Sequence, residues 1–385
     1  MSDRGVEAPR ILFAGGGTGG HLYPALALAE AFQRRTPQAR VYFVGAQRGV
    51  EARVLPERGL PHTLLPMEPI RRSQPWRNWK LVPSLSRSLT GVRRVFSEFD
   101  PHLVVGTGGY ASGPVAGWAA ISGVPVALQE QNSYPGFTTR MLARWAAQVH
   151  LAFPEAEAHL KPGKTTEIIH NGNPIRPPDP AIDRTAARRH FGLGDGPVVL
   201  VVGGSQGSRA INEALLHELR DVAAARLEAP PDGMQILWAT GPAHHDSISS
   251  RLAELDLEAW VKVVPYIQEM PSALASADAA VSRAGAMALA ELCAWGIPSV
   301  LVPLPTAAAN HQHHNAVALA DAGAAVLVPE IELGAGRLWT ALVSLVGDAE
   351  RRAEIAERAR ERGRPDAAAE IVDDLFRLIE RRSGR

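Results

Sequence analysis

The chain has 385 residues, 46% hydrophobic and 21% charged, an ordinary globular composition long enough for two domains with a core each. Its 40 basic residues balance 40 acidic ones, so no overall field favours nucleic acid and any basic partner site has to be local. The one cysteine, Cys293, excludes a disulfide framework and suits a reducing compartment such as the cytoplasm.

The opening MSDRGVEAPR carries mixed charge and leads straight into a strand pattern, so no targeting segment is expected. The uncharged run 103–129 is long enough to span a membrane. Its glycines and prolines, Gly106, Gly108, Gly109, Gly113, Pro114, Gly117, Gly123 and Pro125, break any continuous helix and predict strand, loop, helix, strand instead.

Short apolar runs alternate with helical patterns, the rhythm of parallel βαβ units. Strands are predicted over 11–14, 41–44, 103–105 and 124–128, then over 198–202, 235–239, 261–264, 279–281 and 298–302. Between the two sets NGNPIRPPDPAID is too rich in proline for regular structure and places a hinge at 173–180. The halves rhyme: ILFA opens into GGGTGG and a helix, and VVLVV opens into GGSQGS and a helix. That predicts an α/β fold of two Rossmann-like domains with parallel sheets facing a central cleft. The domains expected are 1–174 and 175–366, with an amphipathic C-terminal helix, 367–385, that docks through Ile371, Leu375, Leu378 and Ile379.

Glycine loops at strand-to-helix turns suit phosphate, because helix N-terminal amides point outward with partial positive charge and glycine lets an anion approach. Gly15, Gly17 and Gly20 fit the dinucleotide fingerprint, but the next strand ends in Gly45, Ala46 and Gln47 without the carboxylate that would hold a ribose. His21 follows the first loop at a helix start, where the dipole favours a neutral imidazole. It reads either as a general base or as a helix-start histidine bonded to a carbonyl. The loop GTGGYASGP, 106–114, is a second nest or a turn whose glycines serve close packing. GGSQGS, 203–208, is a third, with Ser205 as a hydroxyl donor. Glu291 stands on a nearly uncharged helix as a ribose acceptor or a solvated carboxylate. NHQHHNA, 310–316, lacks a cysteine or carboxylate at ligand spacing and suits sugar hydroxyls better than metal.

The stretch 70–95 holds seven basic residues (Arg71, Arg72, Arg77, Lys80, Arg87, Arg93, Arg94) and no acidic one, interleaved with Trp76, Trp79, Leu81 and Leu85. It fits an anionic leaflet, each surface base contributing about 1 kcal/mol, or alternatively a solvated helix face.

Taken in order, GGTGGHLYPALALA, GTGGYASGP, EQNSYPG, NGNPIR, GGSQGS, SRAGAMALAE and NHQHHNA resemble the MurG family over residues 16–316. These bacterial transferases add N-acetylglucosamine to lipid I, the undecaprenyl-pyrophosphoryl-MurNAc-pentapeptide, during peptidoglycan synthesis. The resemblance implies a GT-B architecture, with the C-terminal helix returning to the N-terminal domain, and no metal or other cofactor. The donor UDP-N-acetylglucosamine would sit on the C-terminal domain, with Ser205, Gln206 and Gly207 at the diphosphate, Glu291 at the ribose, and backbone at Tyr266 and Ile267 at the uracil. Arg176, Arg283, Met287, Gln312 and Asn315 match further donor positions. Thr18, Gly19, Gly20 and Asn132 would reach the donor from the N-terminal domain. Gly16, Gly17, Gly108, Gly109, Tyr110, Ser112 and Glu130 would face the acceptor pyrophosphate. His21 is the candidate base of an inverting transfer to the muramyl C4 hydroxyl, giving a β-1,4 linkage in lipid II. A lipid-linked acceptor implies peripheral binding at the cytoplasmic face of the cell membrane through Arg71, Arg72, Trp76, Arg77, Trp79, Lys80, Leu81 and Leu85. Two other readings fit the fold, a UDP-N-acetylglucosamine 2-epimerase and a non-catalytic nucleotide-sugar-binding scaffold. The chain departs from the family pattern at Gln129, where histidine usually precedes EQN, and at Ala288 and Ala290, where hydroxyl residues are common.

Overall fold

The computed structural model describes residues 8–69, Trp76, Trp79 and residues 82–383. The chain divides into two compact units, 1–176 together with 366–385, and 177–365. The division falls two residues beyond the expected boundary, since Ile175 is buried and Arg176 approaches Glu30 at 3.9 Å, both on the N-terminal side.

In the N-terminal unit seven strands form one parallel sheet: β1 (Arg10–Gly15), β2 (Arg40–Ala46), β3 (His62–Leu65), β4 (Leu103–Gly108), β5 (Val126–Glu130), β6 (Gln148–Leu151) and β7 (Glu167–Ile169), in the order β3-β2-β1-β4-β5-β6-β7. Its helices are α1 (Gly19–Arg35), α2 (Glu51–Glu57), α3 (Val82–Phe99), α4 (Ser112–Ile121), α5 (Phe137–Leu142) and, from the far end of the chain, α14 (Ala367–Ser383). Every residue of β1 is buried, as a central parallel strand covered on both faces requires. Leu12 and Ala14 face the layer of α3, α4 and α5, while Ile11 and Phe13 face α1 and α14. Phe13 stacks on Phe43 at 5.4 Å, and Phe32 of α1 meets Phe376 of α14 at 5.2 Å. Ile371, Val372 and Leu375 of α14 are fully buried, each contributing roughly 1.5–3 kcal/mol. The apolar stripe read in the sequence thus closes the N-terminal unit.

The C-terminal unit holds a second parallel sheet: β8 (Val198–Val202), β9 (Gln235–Ala239), β10 (Val261–Val264), β11 (Ala279–Ser282), β12 (Ser299–Leu301) and β13 (Val326–Leu327), in the order β10-β9-β8-β11-β12-β13. Its helices are α6 (Arg184–His190), α7 (Arg209–Ala223), α8 (His245–Ala253), α9 (Met270–Ser276), α10 (Ala286–Trp295), α11 (His311–Asp321), α12 (Arg337–Gly347) and α13 (Ala349–Arg362). Trp238 and Trp339 are the largest fully buried side chains. The start of α12 has no cap of its own, because Gly336 lacks a side chain. Glu218 of α7 caps it instead, accepting from Leu338 N at 3.3 Å and Trp339 N at 2.8 Å. Burial pushes that carboxyl up to about 7.

Three strands coincide with their predicted limits, β8, β9 and β10. β3, β6, β7 and β13 were not expected: each has two to four residues, and all but β6 lie at a sheet edge, where neither length nor a continuous apolar run marks a strand. The strand order reverses between β1 and β4, and between β8 and β11. Those are the switch points where open α/β sheets bind ligands, at the carboxyl ends of the strands. Among the described residues no helix is long and apolar enough to cross a membrane.

Candidate active site

At the first switch point the loops after β1 and β4 pack against each other. Gly108 has φ +95° and Gly109 φ +76°, which disfavour any other residue. A Cβ on Gly109 would lie 2.1 Å from Gly16 O, and one on Gly108 would lie 2.8 Å from the His21 Nδ1. These glycines therefore let the second loop close onto the imidazole, whatever else they do. His21 is the third residue of α1, and its own amide bonds Thr18 O at 3.2 Å. Helix geometry leaves the Gly19 and Gly20 amides without intrahelical partners beside the exposed Thr18. The His21 Nδ1 lies 3.1 Å from Thr107 O and 3.2 Å from Gln131 Oε1.

Several expected acceptor-side groups are engaged within the protein. The Gly17 amide is taken by the Glu51 carboxylate, at 3.0 and 2.9 Å, and the same carboxylate accepts from Ala46 N at 2.9 Å. Glu51 is completely buried, and a Cβ on Gly16 would collide with it. The Gly17 amide is therefore no open phosphate donor. Ser112 is buried and donates to Gly109 O at 2.9 Å, so its hydroxyl braces the loop. Glu130 is buried and accepts from Asn132 N at 3.1 Å, Asn132 Nδ2 at 3.3 Å and Gly136 N at 3.0 Å. It shapes the loop carrying Asn132. Tyr110 stacks over Gly17, and burial, with the nearby Glu51 charge, raises its phenol above the ordinary value.

At the second switch point the geometry is more open. After β8, Gly204 has φ +96° with no atom near its missing side chain, and Ser205 and Gln206 are exposed. Gly207 is fixed by close approach, because a Cβ there would lie 2.0 Å from Thr240 O. Ser208 caps α7 by accepting from Ile211 N at 3.3 Å. The neighbouring strand β11 leads through Gly285 into α10, which carries half-buried Met287 and Glu291. Glu291 has no cationic partner among the described residues, and burial alone pushes its carboxyl up to about 7. After β10, Ile267 is buried and Tyr266 exposed. Gln312 of α11 accepts from Leu304 N at 3.0 Å, beyond the end of β12.

Two residues expected on the donor side are engaged within the protein. Arg283 donates to Val302 O at 3.1 Å and Pro303 O at 3.3 Å and pairs with Glu330 at 2.5 Å, so its guanidinium ties loops together. Asn315 is fully buried, donating to Ala284 O at 3.3 Å, and supports the loop before α10 from beneath. Arg176 is exposed at the end of the N-terminal unit. Among the described residues no three His, Cys, Asp or Glu side chains gather to hold a metal.

Glu51 and Gln131 escaped the sequence reading. The signal for Glu51 was a carboxylate at a helix start just after glycines at 45 and 49, and Gln131 lay inside EQNSYPG between two residues that were singled out.

Residues 11–151 match the glycosyltransferase family 28 N-terminal domain and residues 198–371 its C-terminal domain. The chain is 40% identical over 376 residues to the UDP-N-acetylglucosamine–N-acetylmuramyl-(pentapeptide) pyrophosphoryl-undecaprenol N-acetylglucosamine transferase of Moorella thermoacetica, covering 96% of this chain and 99% of that protein. It is 41% identical over 377 residues to the transferase of the same name from Salinibacter ruber, covering 98% of each. The chain belongs to the MurG family. The crystal structure of Acinetobacter baumannii MurG superposes with a TM-score of 0.74 at 29% identity, covering 97% of this chain and 99% of that one. This MurG-family chain is accordingly a hexosyltransferase of GT-B fold, built from two parallel-sheet domains of seven and six strands.

Proposed function

We propose that the chain transfers N-acetylglucosamine from UDP-N-acetylglucosamine to the C4 hydroxyl of the muramyl sugar of lipid I, producing lipid II with inversion at the anomeric carbon. In this reading His21 Nε2 takes the hydroxyl proton as the C4 oxygen bonds the anomeric carbon. The bond from that carbon to the diphosphate breaks, and UDP leaves with the electron pair. Amides of the open loop after β8, with Ser205 and Gln206, stabilise the charge gathering on the diphosphate. Gly207 shapes that loop, and Glu291 accepts from the ribose hydroxyls. The backbone at Tyr266 and Ile267 meets the uracil, with Met287 and Gln312 lining the donor. Thr18, Gly19, Gly20 and Asn132 are assigned to the donor and Tyr110 to the acceptor.

The observation that carries the reading is Glu291, a half-buried carboxylate with no protein partner among the described residues, one strand away from an exposed glycine loop. A solvated helix carboxylate would show no such shift. UDP release with and without a lipid I analogue, with the sugar product identified, tests it. Acceptor-dependent release yielding a β-1,4 disaccharide supports the transferase. Conversion to the manno epimer would replace it by the epimerase reading, and binding without turnover by the scaffold.

Peripheral binding at an anionic, cytoplasmic membrane face belongs to the same proposal. Arg71, Arg72, Arg77, Lys80 and Leu81 lie outside the described residues. Trp76 and Trp79 are 71% and 69% exposed, and Leu85 is exposed on α3. The adjoining helices add Ile121 on α4 and Phe137 and Met141 on α5, followed by Arg144 and Trp145, all exposed. Exposed apolar side chains near a basic segment suit a headgroup region.

A further inference from the structure

We propose that Gln131 is a positioning residue that fixes the tautomer of His21, so that the proton stays on Nδ1 and the lone pair of Nε2 is presented to the acceptor hydroxyl. This rests on His21 being the base.

The His21 Nδ1 faces two oxygens, Thr107 O at 3.1 Å and Gln131 Oε1 at 3.2 Å. A backbone carbonyl and an amide oxygen accept and cannot donate, so Nδ1 must be the donor. In a neutral imidazole that leaves Nε2 as the acceptor.

The amide of Gln131 is itself held in one orientation. Its Nε2 donates to Thr107 O at 2.9 Å and Gln129 O at 3.0 Å, and also reaches the Gln129 Oε1. A flipped amide would set an oxygen against those three oxygens and an NH2 against the imidazole N–H. Gln129 is oriented in turn by donating to Asn173 Oδ1 at 3.1 Å, while Asn173 Nδ2 donates to Gln131 O at 3.1 Å. All three amides are buried, at 1% exposure for Gln129, 2% for Gln131 and 3% for Asn173. Bonds in a water-poor interior are hard to exchange, so the chain of amides is a directional device. It orients the base without placing a second negative charge beside a diphosphate-bearing acceptor, as a carboxylate partner would.

The test is ring-nitrogen NMR of the full-length wild-type protein labelled with 15N-histidine, with the His21 signals assigned by their loss in His21→Gln. For the neutral imidazole the expected pattern is a protonated Nδ1 and a bare Nε2. A proton on Nε2 would overturn the proposal without any variant having to fold. In Gln131→Leu, checked for native circular dichroism, Thr107 O still holds Nδ1–H, so kcat should fall only about tenfold, with an Nε2–H signal appearing and KM for UDP-N-acetylglucosamine unchanged. Unchanged kcat and an unchanged spectrum in that variant would equally overturn it. Full turnover in His21→Ala would remove the base assignment alone, because the spectrum reads the tautomer independently.

Discussion

Replacing Glu291 by glutamine separates the charge of this side chain from its shape. Burial holds the carboxyl near 7 in the free protein, with no cation beside it to favour ionisation. Ribose hydroxyls donate best to the ionised form, so bound donor draws the proton off and donor binding strengthens as pH rises through 7. Below that value the ionised fraction falls up to about tenfold per pH unit, and apparent donor affinity falls with it. The diphosphate diester does not titrate in this window, so the effect belongs to the protein. A hydrogen bond to a charged group contributes about 1.5–3 kcal/mol and to a neutral one about 0.5–1.5 kcal/mol. Glu291→Gln should therefore lose roughly 1–3 kcal/mol over two hydroxyls, raising KM for UDP-N-acetylglucosamine about 5- to 150-fold. The variant should also lose the pH dependence. The assay is KM for the donor at saturating lipid I analogue from about pH 5.5 to 8.5, cross-checked by calorimetric titration with UDP-N-acetylglucosamine in the absence of acceptor. A wild-type KM flat across that range, or a variant within about twofold of wild type above pH 8, would refute the ribose assignment.

Glu51→Ala removes the acceptor of the half-buried Gly17 amide and the buried Ala46 amide, at about 1–3 kcal/mol each. Urea denaturation should show a loss of roughly 2–6 kcal/mol, and less than about 1 kcal/mol would mean the loop does not depend on this carboxylate. Leu375→Ala opens a cavity under α14 and should destabilise the N-terminal unit by about 2–5 kcal/mol, read as an earlier thermal transition. Glu218 and Glu291 both hold protons more tightly folded than unfolded, so apo-protein stability should fall as pH rises from 4.5 to about 7. Glu218→Gln should flatten that slope, as urea midpoints across the range would reveal. High salt should release the protein from anionic vesicles, and a Trp76→Ala, Trp79→Ala double variant should bind them less at low salt; retention in high salt would exclude the electrostatic contribution.

Features that depend on neighbours in the chain were legible in the sequence. The glycine loops after β1, β4 and β8, the limits of β8 to β10, the linker and the amphipathic stripe of α14 all follow from strand runs, turn chemistry and helical periodicity, which act over a few residues. The order of seven such motifs was enough to suggest the family. Tertiary structure decided which polar atoms meet. Arg283, Asn315, Ser112 and Glu130 have the residue types of a binding site, yet each bonds within its own unit. Glu51 and Gln131 carry no such signal, yet Glu51 holds the Gly17 and Ala46 amides and Gln131 bonds Thr107 O beside His21. His21 meets Thr107 across 86 residues and Gln131 across 110, because strands distant in sequence are neighbours in the sheet. Residue type along the chain determines what a side chain is able to bond. Strand order, by bringing loop ends together at a switch point and excluding water there, determines what it does bond.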